Sequence, residues 1–196
     1  MRSNDKNKVC PAKYAGILDS GIRRLLQNPD KILKPYIDKG MTVIDLGCGP
    51  GFFSVEIAKI VGDTGKVIAV DLQQEMLDKI KNKIQNTEIE KRIKLHKCNS
   101  DKIDVSEKVD FILAFYMFHE VPKPYELLLE LSKLLKPEGR ILIVEPKFHV
   151  SKKDLIKLKE LITKAGFEIV IEIKQFFSAG LLLIKGNKET VEFINH

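Results

Sequence analysis

The chain has 196 residues, a formal charge of +6 spread over 33 Lys and Arg among 27 acids, and three isolated cysteines, Cys10, Cys48 and Cys98. That length suits one domain, no apolar run approaches the roughly 18 residues of a membrane span, and the cysteines imply neither a disulfide framework nor zinc spacing. The densest basic stretch, Lys79–Lys97, is interleaved as on a solvated surface, and the polar start M-R-S-N-D-K-N-K has no apolar signal core, so a cytoplasmic protein is expected.

Along the chain, Ile17, Leu18, Ile22, Leu25 and Leu26 recur at helical spacing up to Pro29. Asp30 is then expected to cap a short helix carrying Ile32, Leu33 and Ile37, with Pro35 near its start or kinking it. Strands are predicted at about 42–46, 67–71, 92–97, 109–114 and 140–145, alternating with helices at about 52–61, 73–86 and 123–135. Alternation of this kind implies parallel strands joined by right-handed crossovers. A helix over about 151–165 ends at Gly166, and the strands F-E-I-V-I-E-I-K and L-L-L-I-K follow with only a short turn between them. So short a turn requires an antiparallel pair. The predicted fold is therefore α/β: a doubly wound, Rossmann-like sheet of about seven strands, five parallel and two in a C-terminal antiparallel hairpin, with helices on both faces.

The stretch Thr42–Phe53, T-V-I-D-L-G-C-G-P-G-F-F, is the most informative. A β-branched run breaks into three glycines at alternate positions, Gly47, Gly49 and Gly51, and a helical pattern follows. Glycine permits the sharp turn and lets main chain approach a ligand closely. Asp45 falls at the carboxyl end of the strand, where open α/β sheets place their ligands. A carboxylate there repels a pyrophosphate and suits a cation. The dinucleotide pattern G-x-G-x-x-G also fails, because its last position is Phe52.

The pattern D-x-G-x-G-x-G resembles the first motif of class I S-adenosylmethionine-dependent methyltransferases. Four further segments resemble that family in order and spacing: V-I-A-V-D (Val67–Asp71), R-I-K-L-H-K-C-N-S (Arg92–Ser100), V-D-F-I-L-A-F (Val109–Phe115) and L-L-K-P-E-G-R-I-L-I-V-E-P (Leu134–Pro146). The resemblance implies S-adenosylmethionine as the cofactor, with Asp45 near its methionine end and Gly47, Cys48, Gly49 and Gly51 under its sugar and methionine portion. It implies Asp71 on the ribose, Leu72 on the adenine, Asn99 accepting from the adenine amino group, Ser100 offering its backbone N–H, and Phe115 by the methyl group. It divides a single domain, 1–196, into an N-terminal helical lid segment (1–39), a donor-binding core (40–146) and a C-terminal helix and hairpin (147–196). Cys48 is a small residue in a tight turn rather than a nucleophile.

Acceptor-side residues are expected after strand ends and in the N-terminal segment. His119, in F-Y-M-F-H-E-V-P, is the candidate catalytic base; the competing reading is a histidine that only positions its loop. Tyr14, Tyr116 and Glu145 are the candidate substrate-binding residues, with Glu120, Lys147, His149 and Cys10 as further candidates. The sequence has no [D/N]-P-P-[Y/F] run after the fourth strand, no Pro-Cys pair there, and no attached RNA-binding domain, so a small-molecule acceptor is favoured over RNA or protein. No metal is expected to take part. The rival functions are an RNA or protein methyltransferase, a donor-binding module without catalysis, and an NAD-dependent oxidoreductase; the sequence does not address oligomeric state.

Overall fold

The computed structural model describes residues 28–174 and 177–186. Tyr14, Cys10 and the helical stripe up to Leu26 lie outside the described residues, as does most of the 1–39 segment. The chain forms two compact units divided between Asp104 and Val105.

In the first unit, α1 (Pro29–Leu33) precedes β1 (Thr42–Leu46), α2 (Phe52–Val61), β2 (Lys66–Asp71), α3 (Gln74–Ile84) and β3 (Ile93–Lys97). The cap of α1 is Asn28, not Asp30: its side chain accepts from Lys31 N, and Pro29 takes the first helical position, where its missing N–H costs nothing. Pro35 accordingly lies beyond the helix rather than inside it. The strands pair in parallel in the order β3-β2-β1, with Leu46 opposite Val70 and Asp71 opposite Lys97. Val43, Ile44 and Val67 to Val70 are inaccessible to solvent, which is why these strands are apolar without alternation. The α3 helix buries Met76, Leu77, Ile80 and Ile84 along one stripe and leaves Lys79 and Lys81 in solvent. The dense basic stretch is thus largely an exposed face.

The second unit contains β4 (Val109–Phe115), α4 (Pro124–Leu134), β5 (Leu135–Pro146), α5 (Lys152–Lys164), β6 (Phe167–Lys174) and β7 (Ser178–Lys185). Here β4 and β5 are parallel, β5–β7 and β6–β7 are antiparallel, and the order is β4-β5-β7-β6. The fifth strand starts at Leu135, five residues earlier than the apolar run suggests, because Pro137 disfavours helix for the residue before it and leaves the K-P-E-G stretch extended. Ser151 caps α5 in a reciprocal capping box with Asp154. Seven strands, parallel in β1 to β3 and in β4–β5 and antiparallel at β6 and β7, form the Rossmann-like mixed sheet that the alternation of elements predicts.

Candidate active site

The first cluster is built where β1 and β2 end. Past Leu46 the chain turns on Gly47 (φ +69°), Gly49 (φ +53°) and Gly51 (φ +83°), a left-handed conformation that costs an ordinary L-residue roughly 1–2 kcal/mol at each position. The turn is held by Gly47 N–H and Cys48 N–H, both donating to Val70 O at 2.9 and 3.0 Å. Gly51 is wedged against α3: a Cβ there would lie 2.8 Å from Ile80 Cγ1. The neighbouring Pro50 carbonyl accepts from Lys83 Nζ at 2.9 Å. At Gly49, by contrast, a Cβ would meet nothing within 4 Å. That glycine faces open space.

Two carboxylates flank the turn. Asp45 is 2 % exposed, and its Oδ2 accepts from Ser54 Oγ, a fully buried hydroxyl in the first turn of α2. Asp71 binds the loop itself: Oδ2 accepts from Gly49 N and Oδ1 from Gln73 N, each at 2.9 Å. Burial is the largest influence on Asp71 and raises its pKa; the backbone N–H groups of Gln73, Gly49 and Leu72 oppose that rise. A carboxylate has about four lone-pair sites, so acceptor capacity remains for a ligand hydroxyl. The Cys48 thiol is pushed well up, first by burial and then by the negative charges of Asp45 and Asp71. It is a buried, protonated thiol, which removes it as a nucleophile. The same field is evidence that the loop favours a cation. Leu72 is half-buried, while Asn99 and Ser100 are exposed just after β3, where Asn99 N–H closes a turn onto Lys102 O.

The second cluster belongs to the other unit. Phe115 is the last residue of β4, buried, rather than just past it. Tyr116 follows with φ +59°, and its N–H donates to Val144 O at 2.8 Å. A non-glycine residue in that region stores about 1–3 kcal/mol and persists only where its surroundings fix it. The rings of Phe115 and Tyr116 are 4.4 Å apart; Phe148 stands edge-on to Tyr116 at 6.5 Å and to His149 at 4.8 Å. Phe148 is 70 % exposed, so its ring is presented to the outside. One turn on, His119 Nδ1 lies 2.6 Å from Glu145 Oε2, and Glu145 Oε1 accepts from Phe118 N at 3.0 Å. Glu145 is 2 % exposed, with both oxygens engaged within the protein, so its carboxylate faces His119 rather than solvent. The His119 pKa is raised, chiefly by that hydrogen bond, against a lowering by burial. Lys147 is exposed and its N–H donates to Phe177 O.

The structure therefore gathers the predicted residues into two groups: Asp45, the glycines, Cys48, Asp71 and Leu72 in one, and Phe115, Tyr116, His119 and Glu145 in the other. Sequence reasoning named both members of the His119–Glu145 pair without pairing them, and it missed Ser54, Phe118 and Phe148. Phe148 had a usable signal, since it lies just past the end of β5 between two residues already singled out. Among the described residues, no group of three or more His, Cys, Asp or Glu is arranged to hold a metal ion, and no helix is long and apolar enough to cross a membrane.

A family model described as a methyltransferase domain matches residues 37–181, well over half of the chain. The chain belongs to the class I S-adenosylmethionine-dependent methyltransferase family. That membership sets the chain apart from the nicotinamide oxidoreductases. A solved S-adenosylmethionine-dependent methyltransferase from Aquifex aeolicus superimposes with a TM-score of 0.82 at 27 % identity, over 89 % of this chain and 98 % of that one. A demethylmenaquinone methyltransferase of Lactobacillus johnsonii is 31 % identical over 57 % of this chain and 46 % of its own length. A ubiquinone/menaquinone biosynthesis C-methyltransferase of Haemophilus ducreyi is 29 % identical over 56 % of this chain and 42 % of its own. The match thus spans under half of either curated relative.

The residues present fit the donor of this family. Open space at Gly49, a carboxylate with spare acceptor capacity at Asp71, and two negative charges acting on the loop suit a ligand that combines a ribose with a sulfonium. Asp45, Gly47, Cys48, Gly49, Gly51, Asp71, Leu72, Asn99 and Ser100 are the residues that would hold it.

Proposed function

We propose that the chain methylates a small, flat acceptor carrying an acidic hydroxyl, of the hydroquinone kind, at a ring carbon. The observation that carries this reading is the His119–Glu145 pair beside the Tyr116–Phe148–His149 rings: one base next to an aromatic wall. Rings that meet edge-on and offset, with Phe148 presented outward, suit a planar π-faced acceptor. The names of the curated relatives point the same way. The donor, when bound, supplies a methyl group on positively charged sulfur, a leaving group that needs no further activation.

The remaining chemistry is the acceptor's proton. Loss of the hydroxyl proton to His119 pushes electron density onto the ortho carbon, which takes the methyl group. The hydrogen on that carbon then leaves as a proton while the oxygen is reprotonated, so each turnover releases one proton. Holding base and acceptor in one geometry is the protein's main contribution. Tyr116 and Phe148 offer their rings to the acceptor, and His119 moves the proton.

The test is acceptor-dependent formation of S-adenosylhomocysteine with reduced naphthoquinones. His119→Gln is expected to lower turnover by roughly 10²-fold or more, the usual worth of a general base, with donor affinity unchanged. Equal rates with and without the naphthoquinol, or an H119Q enzyme of wild-type turnover, would refute this assignment.

A further inference from the structure

We propose that Glu145 is a positioning residue for His119: it fixes the imidazole with Nδ1–H donated to its carboxylate, so that Nε2 is the atom that receives the acceptor's proton. The inference rests on His119 acting as the base. It changes the role expected of Glu145, which was to contact the acceptor.

The geometry leaves Glu145 little else to do. It lies next to last in β5, 2 % exposed, with its two oxygens directed at two consecutive residues of one turn. Oε1 accepts from Phe118 N at 3.0 Å, and this backbone bond fixes where the carboxylate sits relative to the turn Phe118–Glu120. Oε2 lies 2.6 Å from His119 Nδ1, a separation within the range of charge-assisted hydrogen bonds. A carboxylate accepts and does not donate, so the ring nitrogen facing it carries the hydrogen. In the neutral ring the lone pair is then on Nε2, and the His119 side chain is 22 % exposed, so the ring is not sealed from solvent.

The other groups around the ring do not compete for this role. Glu120, on the same turn, has Oε1 4.0 Å from Nε2, too far for a hydrogen bond, though its charge also favours the imidazolium. His149, from the turn after β5, presents a ring 5.6 Å from that of His119. Nδ1 thus has one partner close enough to set the tautomer. Upstream, the left-handed Tyr116, tied to Val144 in the same strand as Glu145, fixes how the chain leaves β4 and so where His119 arrives.

The experiment follows the His119 ring by nitrogen-resolved NMR through a pH titration of the full chain, without any acceptor, in wild type and in Glu145→Gln. In wild type the neutral ring is expected to carry its hydrogen on Nδ1 and to titrate above the ordinary histidine value. In E145Q the midpoint should move to lower pH, and with an active acceptor the acid limb of the rate profile should move with it. Turnover should fall roughly tenfold or more at unchanged donor affinity, because the base is no longer oriented. Thermal melting of E145Q checks that it folds; if it does not, the wild-type tautomer alone decides. A neutral ring protonated on Nε2, or a His119 midpoint identical in the two proteins, overturns the proposal. If the NMR results hold while no acceptor yields product, the function proposed above has failed and the role of Glu145 in setting the ring has not.

Discussion

Two glycines of one loop should fail in different ways when given a methyl group. Gly51 and Gly49 both have positive φ, +83° and +53°. An alanine at either position bears about 1–2 kcal/mol of left-handed strain, offset by roughly 0.4–1 kcal/mol because alanine has less freedom in the unfolded chain. At Gly51 the new Cβ would also lie 2.8 Å from Ile80 Cγ1, in the buried stripe of α3. Overpacking of that kind adds about 1–3 kcal/mol, so Gly51→Ala should be destabilised by roughly 1–5 kcal/mol in all. At Gly49 the Cβ meets nothing within 4 Å, so the net change should stay under about 2 kcal/mol. We propose that the donor's sugar and methionine portion occupies that open space. Gly49→Ala should therefore keep most of its stability and lose donor affinity, while Gly51→Ala loses stability first. For a chain of this size each kcal/mol shifts Tm by about 2–4 °C, which a melting experiment resolves. Calorimetric titration with S-adenosylhomocysteine reads the affinity. A Gly49→Ala protein that binds the ligand as tightly as wild type would show that the space over Gly49 is not the donor's.

Asp71→Asn should weaken donor binding by roughly 1.5–3 kcal/mol for each charge-assisted hydrogen bond lost, and should also turn an amide against Gly49 N–H or Gln73 N–H; unchanged affinity in the same titration would refute the ribose assignment. Because burial raises the Asp71 pKa, wild-type affinity should begin to fall on acidification above the ordinary carboxylate value of 3.8, as protonation removes an acceptor. His119 is raised above 6.5 when folded, so its pair with Glu145 contributes stability that is full below 6.5 and is lost as pH rises through the folded value. Melting at a series of pH values should show that loss in wild type and not in His119→Gln, and parallel profiles would refute it. Methyl transfer should survive exhaustive chelation, since a sulfonium needs no Lewis acid; activity abolished by a chelator and restored by one divalent ion would overturn this.

The glycine turn and its two flanking carboxylates were legible in the sequence because their pattern is local. The glycines, the strand-end acids and the alternating apolar runs sit within about thirty residues, and their spacing alone carries the turn between strand and helix. The His119–Glu145 cluster depends on register between β4 and β5, which pairs Phe115 with Val144 and so brings Glu145 beside the turn after β4. His119 and Glu145 lie 26 residues apart in the chain, and no local pattern announces their contact. The cap of α1 was misplaced by two residues because Asn28-Pro29-Asp30 offers two capping side chains, and Pro29 suits a helix start as well as a helix end. Ser54 was not legible either: it reads as one more residue of α2 until the strand brings Asp45 to its hydroxyl.

The most direct test of methyl transfer to a small acceptor is the fate of a labelled methyl group. Purified chain is incubated with methyl-labelled S-adenosylmethionine in a mixture of reduced naphthoquinone, total RNA and a protein extract, and the three fractions are then separated. The label is predicted to appear on a ring carbon of the quinone fraction, in step with the S-adenosylhomocysteine formed, and to be lost with His119→Gln. Label recovered in RNA or protein, with none in the quinone fraction, would contradict the account.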